Sequence, residues 1–193
     1  MVYHYFELQL GRDPSVQRTL AKSVYGALGE QAVAVFAPLL GFASNQALVL
    51  LDGDAPVDAV LKSAGVVSVQ RRQLAPTIRP KAGAQLLAGG VYVHNWFTID
   101  AAGFDEFVKL SGEAWPDFET RFDARIFGLF GAEATPDDLQ QGQRRLLLMT
   151  RYRDLGEWQT SRDPTTEAMK IFMRRRELTR VSLARACLLM PRS

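Results

Sequence analysis

The chain has 193 residues, of which 47% are hydrophobic and 23% are charged, and its net charge is +2. This composition is typical of a folded globular protein and carries no signature of disorder. The nearly balanced charge gives no indication of a nucleic-acid partner or of an anionic membrane surface. We also expect no membrane span, because no segment reaches the roughly 20 apolar residues that a spanning helix needs.

A single cysteine, Cys187, lies in an apolar run near the end of the chain. One cysteine cannot form a disulfide or a cysteine metal site within the chain, and we expect it to pack as a small hydrophobic residue. The sequence shows no histidine beside it that would activate a nucleophile. The first residues lack the basic and apolar regions of a signal peptide, which predicts a cytoplasmic protein.

The first half predicts the order strand, helix, strand, strand, helix, strand. Its first strand alternates apolar and polar residues, and Asp13 and Pro14 then begin a helix that Gly29 ends. A short second helix begins near Pro56 and ends at Gly65. The predicted strands cover residues 2–10, 32–42, 47–51 and 66–74.

The second half predicts the same order, with strands at residues 91–99, 122–130, 144–152 and 181–190. Its first helix begins at Asp100 and is expected to end or kink at Pro116. A polar loop covers residues 133–143, and a helical region over 155–178 is expected to restart at an N-cap at Asp163. We interpret the arginine run 174–176 in that region as a solvated helix face.

The segment between the halves is rich in proline, glycine and alanine, which is typical of a linker. We therefore predict a first unit at 1–76, a linker at 77–90 and a second unit at 91–193. A βαββαβ unit covers one face of its sheet with helices and leaves the other face bare, so two such faces are expected to meet. The predicted fold class is α+β: two tandem ferredoxin-like βαββαβ units whose antiparallel sheets face each other in an intrachain α+β barrel.

Several segments of the second half look familiar. They are Trp96-Phe97-Thr98, the run from Leu110 to Pro116, Ile126 to Phe130, Leu146 to Tyr152, Trp158, and Phe172 before the arginines. Over residues 91–190 the chain resembles the NIPSNAP-like proteins of the dimeric α+β barrel superfamily, whereas the first half is similar only in element order. The resemblance implies the fold but no catalytic residues, and relatives on this fold include cofactor-independent monooxygenases and haem-handling enzymes.

The two histidines, His4 and His94, both fall in the first strand of their half. Alternation along a strand predicts that Tyr92, His94 and Trp96 point into the barrel, while Val93, Asn95 and Phe97 face the helices. A tyrosine, a histidine and a tryptophan in a cavity would suit a small ligand, with His94 as a weak candidate acid or base. The alternative is that His94 is structural and the aromatic residues fill the barrel.

Arginines on the strands form a second set of ligand-binding candidates, together with a tyrosine that is expected to line the barrel mouth. They are Arg125, Arg151, Tyr152 and Arg185. Arg185 is unusual in its apolar strand, and we weigh a structural ion pair with a residue such as Glu7 against an anionic ligand and against solvent exposure.

No phosphate-binding, dinucleotide-binding or serine-hydrolase motif occurs, and no histidine and acidic residues have metal-ligand spacing. Chlorite-dismutase-like haem proteins present an axial histidine from a helix, and the predicted helices contain none, so we expect no metal and no cofactor.

Two hypotheses about function remain. One is a protein that binds a small carboxylated or aromatic molecule in the barrel, with or without cofactor-independent catalysis, and a homodimer is a further expectation. The other is a non-catalytic interaction or scaffolding module.

Overall fold

In the computed structural model, which describes residues 1–192, eight strands form one closed barrel in the order β1-β3-β2-β8-β5-β7-β6-β4. The strands are β1 (Tyr3–Leu10), β2 (Ala32–Leu40), β3 (Gln46–Asp52), β4 (Val66–Pro76), β5 (Val91–Asp100), β6 (Ala124–Ala132), β7 (Gln143–Tyr152) and β8 (Thr179–Leu189). The helices are α1 (Val16–Leu28), α2 (Asp58–Ser63), α3 (Phe104–Arg121), α4 (Pro136–Gln140), α5 (Leu155–Thr160) and α6 (Glu167–Glu177).

Each half contributes four antiparallel strands, and the last strand of each half pairs with the second strand of the other. β8 joins β2 from Phe36↔Leu189 to Leu40↔Ala186, and β4 joins β6 from Leu74↔Ala132 to Pro76↔Phe130. These two seams close the barrel, so the two bare sheet faces bury each other. The predicted fold class is confirmed.

Three hydrophobic cores follow from the alternation of side chains along the strands. One fills the barrel and includes Tyr3, Tyr5, Phe36 and Phe130. The second lies between the outer face of the first-half sheet and α1 and α2, and the third lies between the outer face of the second-half sheet and α3 and α6. The barrel therefore has side chains packed on both faces of its sheet.

The predicted end or kink at Pro116 is not a helix end, because α3 continues through this residue to Arg121. Proline costs a backbone hydrogen bond at such a position. Hydrophobic burial of the neighbouring residues offsets that loss, since Trp115 and Phe118 both pack against the second-half sheet. Packing of the apolar face therefore outweighs the local preference of proline.

The region 155–178 divides into α5 and α6, but its second N-cap is Thr166 rather than the predicted Asp163. The Thr166 hydroxyl accepts from the backbone N–H of Met169 at 3.2 Å. Asp163 instead accepts from the backbone N–H of Thr165 at 2.9 Å, and so forms the turn before the helix. The predicted polar loop also contains α4, whose N-terminus has a capping box between Thr135 and Asp138.

The segment 77–90 contains no helix or strand and lies against one mouth of the barrel, beside Tyr92 and Arg151. The backbone N–H of Thr77 donates to the carbonyl of Leu129 at 2.9 Å. Further along, Leu86 packs against the barrel core, and the Tyr92 hydroxyl donates to the carbonyl of Leu87 at 2.7 Å. Within residues 1–192, no helix is long and apolar enough to cross a membrane.

Candidate functional site

The first strand of the second half divides its side chains between the two faces as predicted. Tyr92 and Trp96 pack in the barrel core, whereas Val93 and Phe97 pack in the helix-covered core of the second half. Trp96 lies beneath the guanidinium of Arg72, which is 5.4 Å from the ring centroid. The interior aromatic face therefore exists, and neighbouring protein groups pack against it.

His94 is fully buried at the centre of this face. Its Nδ1 atom is 3.0 Å from the Tyr5 hydroxyl, its Nε2 atom is 3.6 Å from Cys187 Sγ, and its ring meets Phe36 edge-on at 4.7 Å. Burial, and after it the charge of Arg185, lower the pKa of His94 to about 3, so the ring is neutral at neutral pH. Because protein atoms engage both ring nitrogens, these contacts favour a structural role over acid–base chemistry or iron ligation.

Cys187 does have a histidine neighbour, contrary to the sequence-based expectation. The pairing of Tyr92 with Cys187 across β5 and β8 brings the thiol beside His94. Burial raises the pKa of the Cys187 thiol, which keeps it protonated, and the neutral His94 supplies no charge to oppose this. The side chain packs in the barrel core, as expected for a small hydrophobic residue.

The predicted arginines of β6 and β7 lie at the mouth beside the segment 77–90. Arg125, Arg151 and Tyr92 line a pocket of about 230 Å³ there. Arg151 forms an ion pair with Asp123 at 2.7 Å, and Arg125 donates to the backbone carbonyls of Glu119 and Ala124. Protein partners therefore already satisfy much of the hydrogen-bonding capacity of both side chains.

Arg185 forms the ion pair that its position in an apolar strand indicated. Its Nη1 atom is 2.9 Å from Glu7 Oε2, and its guanidinium lies 5.0 Å from the ring centroid of Phe42. The partner suggested by the sequence, Glu7, is confirmed. This pair lies on the barrel side of the sheet, and it satisfies a charge that would otherwise be costly to bury.

A larger cavity, of about 300 Å³, lies outside the barrel, between the second-half sheet, the helices α3 and α6 and the turn after α5. We call it the helix–sheet cavity. Its volume is at the lower end of the range for small-molecule sites. Apolar side chains form much of its wall, namely Phe97, Phe118, Ile126, Leu148 and Phe172.

Asn95 supplies a polar group to this cavity from the middle of β5. The residue is only 8% exposed, and its side-chain amide has no hydrogen-bond partner among the described residues, while its polar atoms remain accessible from the cavity. Buried amides are normally paired, because an unmade hydrogen bond costs about 1–3 kcal/mol. Asn95 is therefore available to a ligand, and strand alternation had placed it on this face without marking it as functional.

Tyr152 also lines the helix–sheet cavity and not the barrel mouth, where it was expected. Adjacent residues on a strand point to opposite faces, so Arg151 reaches the mouth while Tyr152 lies under the helices. Burial raises the pKa of the Tyr152 hydroxyl, which remains a neutral donor. Thr150 lies two residues earlier, on the same face and in the same cavity.

Arg175 is buried, in contrast to the solvated face predicted for the run 174–176. Its guanidinium lies 5.0 Å from the ring centroids of Phe97 and Phe107 and 4.5 Å from that of Phe172. It donates to Ser111 Oγ at 3.1 Å. Desolvation lowers the pKa of Arg175 to about 10, so the group remains charged at neutral pH.

The sequence held a signal for this burial. Ala168, Ile171 and Phe172 precede Arg175 at helical spacing, so all four share the face of α6 that packs on the sheet. The charge of the three-arginine run outweighed that periodicity in the prediction. The helix–sheet cavity as a whole was missed, because it depends on how closely α6 approaches the sheet.

Comparisons with known proteins bear on the fold. No family model matches the chain, and no curated protein matches its sequence. Solved structures do match. An anthrone oxidase-like protein has a TM-score of 0.65 at 13% identity, with 98% of this chain and 91% of that chain covered.

Two Listeria monocytogenes proteins have the same architecture. A heme-degrading enzyme has a TM-score of 0.58 at 7% identity, covering 97% of this chain and 99% of that one. A ferredoxin fold protein related to antibiotic biosynthesis monooxygenases has a TM-score of 0.54 at 10% identity, covering 99% and 95%. The specific NIPSNAP-like resemblance stays a prediction. At these identities the matches show the fold alone: the chain has a ferredoxin-like α+β barrel fold.

Proposed function

We propose that this protein binds a small aromatic molecule in the helix–sheet cavity. The observation that carries the proposal is Asn95, a buried amide without a protein partner that faces a cavity walled by Phe97, Phe118 and Phe172. Aromatic walls suit a planar ligand, and a few fixed polar groups orient it. The proposal keeps the class of ligand expected from the sequence and moves its site from the barrel interior to the outer face of the second-half sheet.

The competing hypothesis of an interaction module has weaker support. Exposed apolar side chains do occur on β4 and β8, among them Val67, Val69, Val181 and Leu183. They form two small pairs, one on each strand, and small groups of exposed apolar residues are common on protein surfaces. An unpaired amide and a buried guanidinium in one cavity are much less common, so the cavity is the stronger basis for a function.

Filling the cavity entrance is expected to abolish binding. Ser182 is an exposed strand residue that lines the cavity, and Ser182→Trp would place an indole there with little cost to folding. Calorimetric titration with the neutral probe 2-naphthamide should detect binding to the wild type and at least about tenfold weaker binding to this variant. Ser68→Trp is the matched control, because Ser68 is an exposed serine on β4 of the first half that does not line the cavity. This variant should bind like the wild type. Equal affinity in all three proteins would refute the proposed location.

Oxidation of the bound molecule by O2 without a cofactor is a second candidate function. It is favoured by the similarity of the fold to the anthrone oxidase-like protein and to the relative of antibiotic biosynthesis monooxygenases. In such a reaction anthrone and O2 would give anthraquinone and water. Asn95 and Arg175 could stabilise the oxyanion that forms when the ring carbon loses its proton, but no carboxylate or imidazole in residues 1–192 lines the cavity to take that proton.

Anthrone consumption therefore provides the test of turnover. If the protein is an oxidase, anthraquinone absorbance should appear faster with the wild type than with Ser182→Trp, and only in the presence of O2. Identical rates with the two proteins would limit the protein to binding.

A further inference from the structure

The helix–sheet cavity has an excess of positive charge. Arg162, Arg175 and Arg176 all line it, and no aspartate or glutamate of residues 1–192 does. Arg175 forms no ion pair with any described residue, unlike Arg79, Arg151 and Arg185. The cation deepest in the cavity wall thus has no counter-ion.

The protein groups around Arg175 compensate its charge only in part. Three phenylalanine rings contribute cation–π attraction, and the Ser111 hydroxyl accepts one hydrogen bond while it donates its own proton to the carbonyl of Phe107 at 2.7 Å. A guanidinium has five N–H donors, and the side chains that contact it here are neutral. Proteins normally avoid burying a charge without a partner of opposite sign, because no attraction then offsets the free-energy cost of removing the charge from water.

The chemistry that would complete this site is a carboxylate. Its two oxygen atoms match the planar fork of a guanidinium, and charge-assisted pairs of this kind are roughly twice as strong as neutral hydrogen bonds. The amide of Asn95 lines the same cavity and can donate to an oxygen as well. The apolar wall would then take the ring that bears the carboxylate.

We infer that the helix–sheet cavity selects aromatic carboxylates and that Arg175 is the residue that recognises the carboxylate. This inference rests on the proposed function, since it names the ligand class of the same cavity. It assigns to Arg175 a role that the exposed neighbours Arg174 and Arg176 on the same helix do not share.

The test compares 2-naphthoate with 2-naphthamide, which have the same ring system and differ in charge. Calorimetric titration of the wild type at neutral pH should give an affinity for the carboxylate about tenfold or more above that for the amide. Arg175→Met should reduce this preference to less than about threefold, chiefly by weakening the binding of the carboxylate. Arg174→Met is the matched control on the same helix and should keep the full preference.

Each other outcome has a defined meaning. Equal wild-type affinities for the two probes would overturn the carboxylate inference and leave the proposed function standing, whereas binding of neither probe would overturn the proposed function itself. A preference that persists in Arg175→Met would remove Arg175 from the role. If circular dichroism shows that this variant is unfolded, Arg175→Lys takes its place: the lysine keeps the charge but not the fork, and it should retain only part of the preference.

Discussion

Gly90→Ala is expected to destabilise the protein by roughly 4 kcal/mol or more, an effect at the extreme end for one methyl group. Gly90 has φ of +75°, a backbone conformation that residues with a side chain rarely adopt. A Cβ atom at this position would lie 2.2 Å from the carbonyl oxygen of Tyr152 and 2.7 Å from Nε of Arg151. The carbonyl belongs to β7, whose pairing with β5 begins at Val91↔Tyr152, so relief of the clash would disturb the strand register.

The adjacent Gly89 provides the control. Its φ of +72° is nearly the same, but a Cβ atom there would meet nothing within 4 Å. Gly89→Ala should therefore lower the free energy of unfolding by only roughly 1–2 kcal/mol, which is the cost of a left-handed backbone conformation for alanine. Urea unfolding of both variants measures the difference. Similar losses for the two would show that β5 and β7 do not approach each other as closely as described.

Lowering the pH is expected to reduce the free energy of unfolding, because burial in the folded protein depresses the pKa of His94 to about 3. An unfolded histidine has a pKa of about 6.5, so between these values the unfolded chain binds the extra proton. The stabilisation that the neutral His94 gives is complete above about pH 6.5 and is lost as the pH falls towards 3. The slope approaches about 1.4 kcal/mol per pH unit, or roughly 2.5 kcal/mol between pH 6.5 and 4.5.

A variant that cannot titrate isolates this contribution from that of the carboxylates. The free energy of unfolding of His94→Gln, measured in urea from pH 7 to 4.5, should fall less steeply than that of the wild type. Its absolute stability will be lower at every pH, because the contact with Tyr5 changes, so the slope is the informative quantity. Parallel curves for the wild type and His94→Gln would mean that His94 is not held neutral.

The architecture was predictable because it depends on element order and on the burial of bare sheet faces. The order strand, helix, strand, strand, helix, strand in each half leaves one face of each sheet uncovered, and the observed barrel is the solution that buries both. Element ends were less predictable. Pro116 and Asp163 are strong local signals, but burial of Trp115 and Phe118 and the cap at Thr166 decided the outcome.

The candidate site was predictable only in part, because it depends on distances between elements. Alternation along β5 correctly placed His94 in the barrel and Asn95 on the helix face. The partner of Cys187 depends on the register of β8 against β5, which no short segment of sequence sets. Arg175 had a helical periodicity that favoured burial, yet without the aromatic cage of α3, α6 and β5 its charge favoured exposure.

The division of polar groups between the two faces of the second-half sheet follows a simple physical rule. On the barrel face, His94 contacts Tyr5 and Cys187, and Arg185 pairs with Glu7, so these groups have partners within the protein, and the indole Nε1 of Trp96 is the exception. On the helix face, Asn95 and Arg175 retain unused hydrogen-bonding capacity next to a cavity. Ligand binding is therefore expected on the helix face.

The location of a bound ligand tests this account most directly. A crystal soaked with 6-bromo-2-naphthamide, at a concentration shown by calorimetry to saturate the protein, locates the bromine by its anomalous scattering. We predict one dominant bromine peak between the second-half sheet and α6, with the ring against Phe97 or Phe172 and the probe amide within hydrogen-bond distance of Asn95. A dominant peak inside the barrel beside His94, or at the mouth beside Arg125 and Arg151, would contradict the assignment of the helix–sheet cavity.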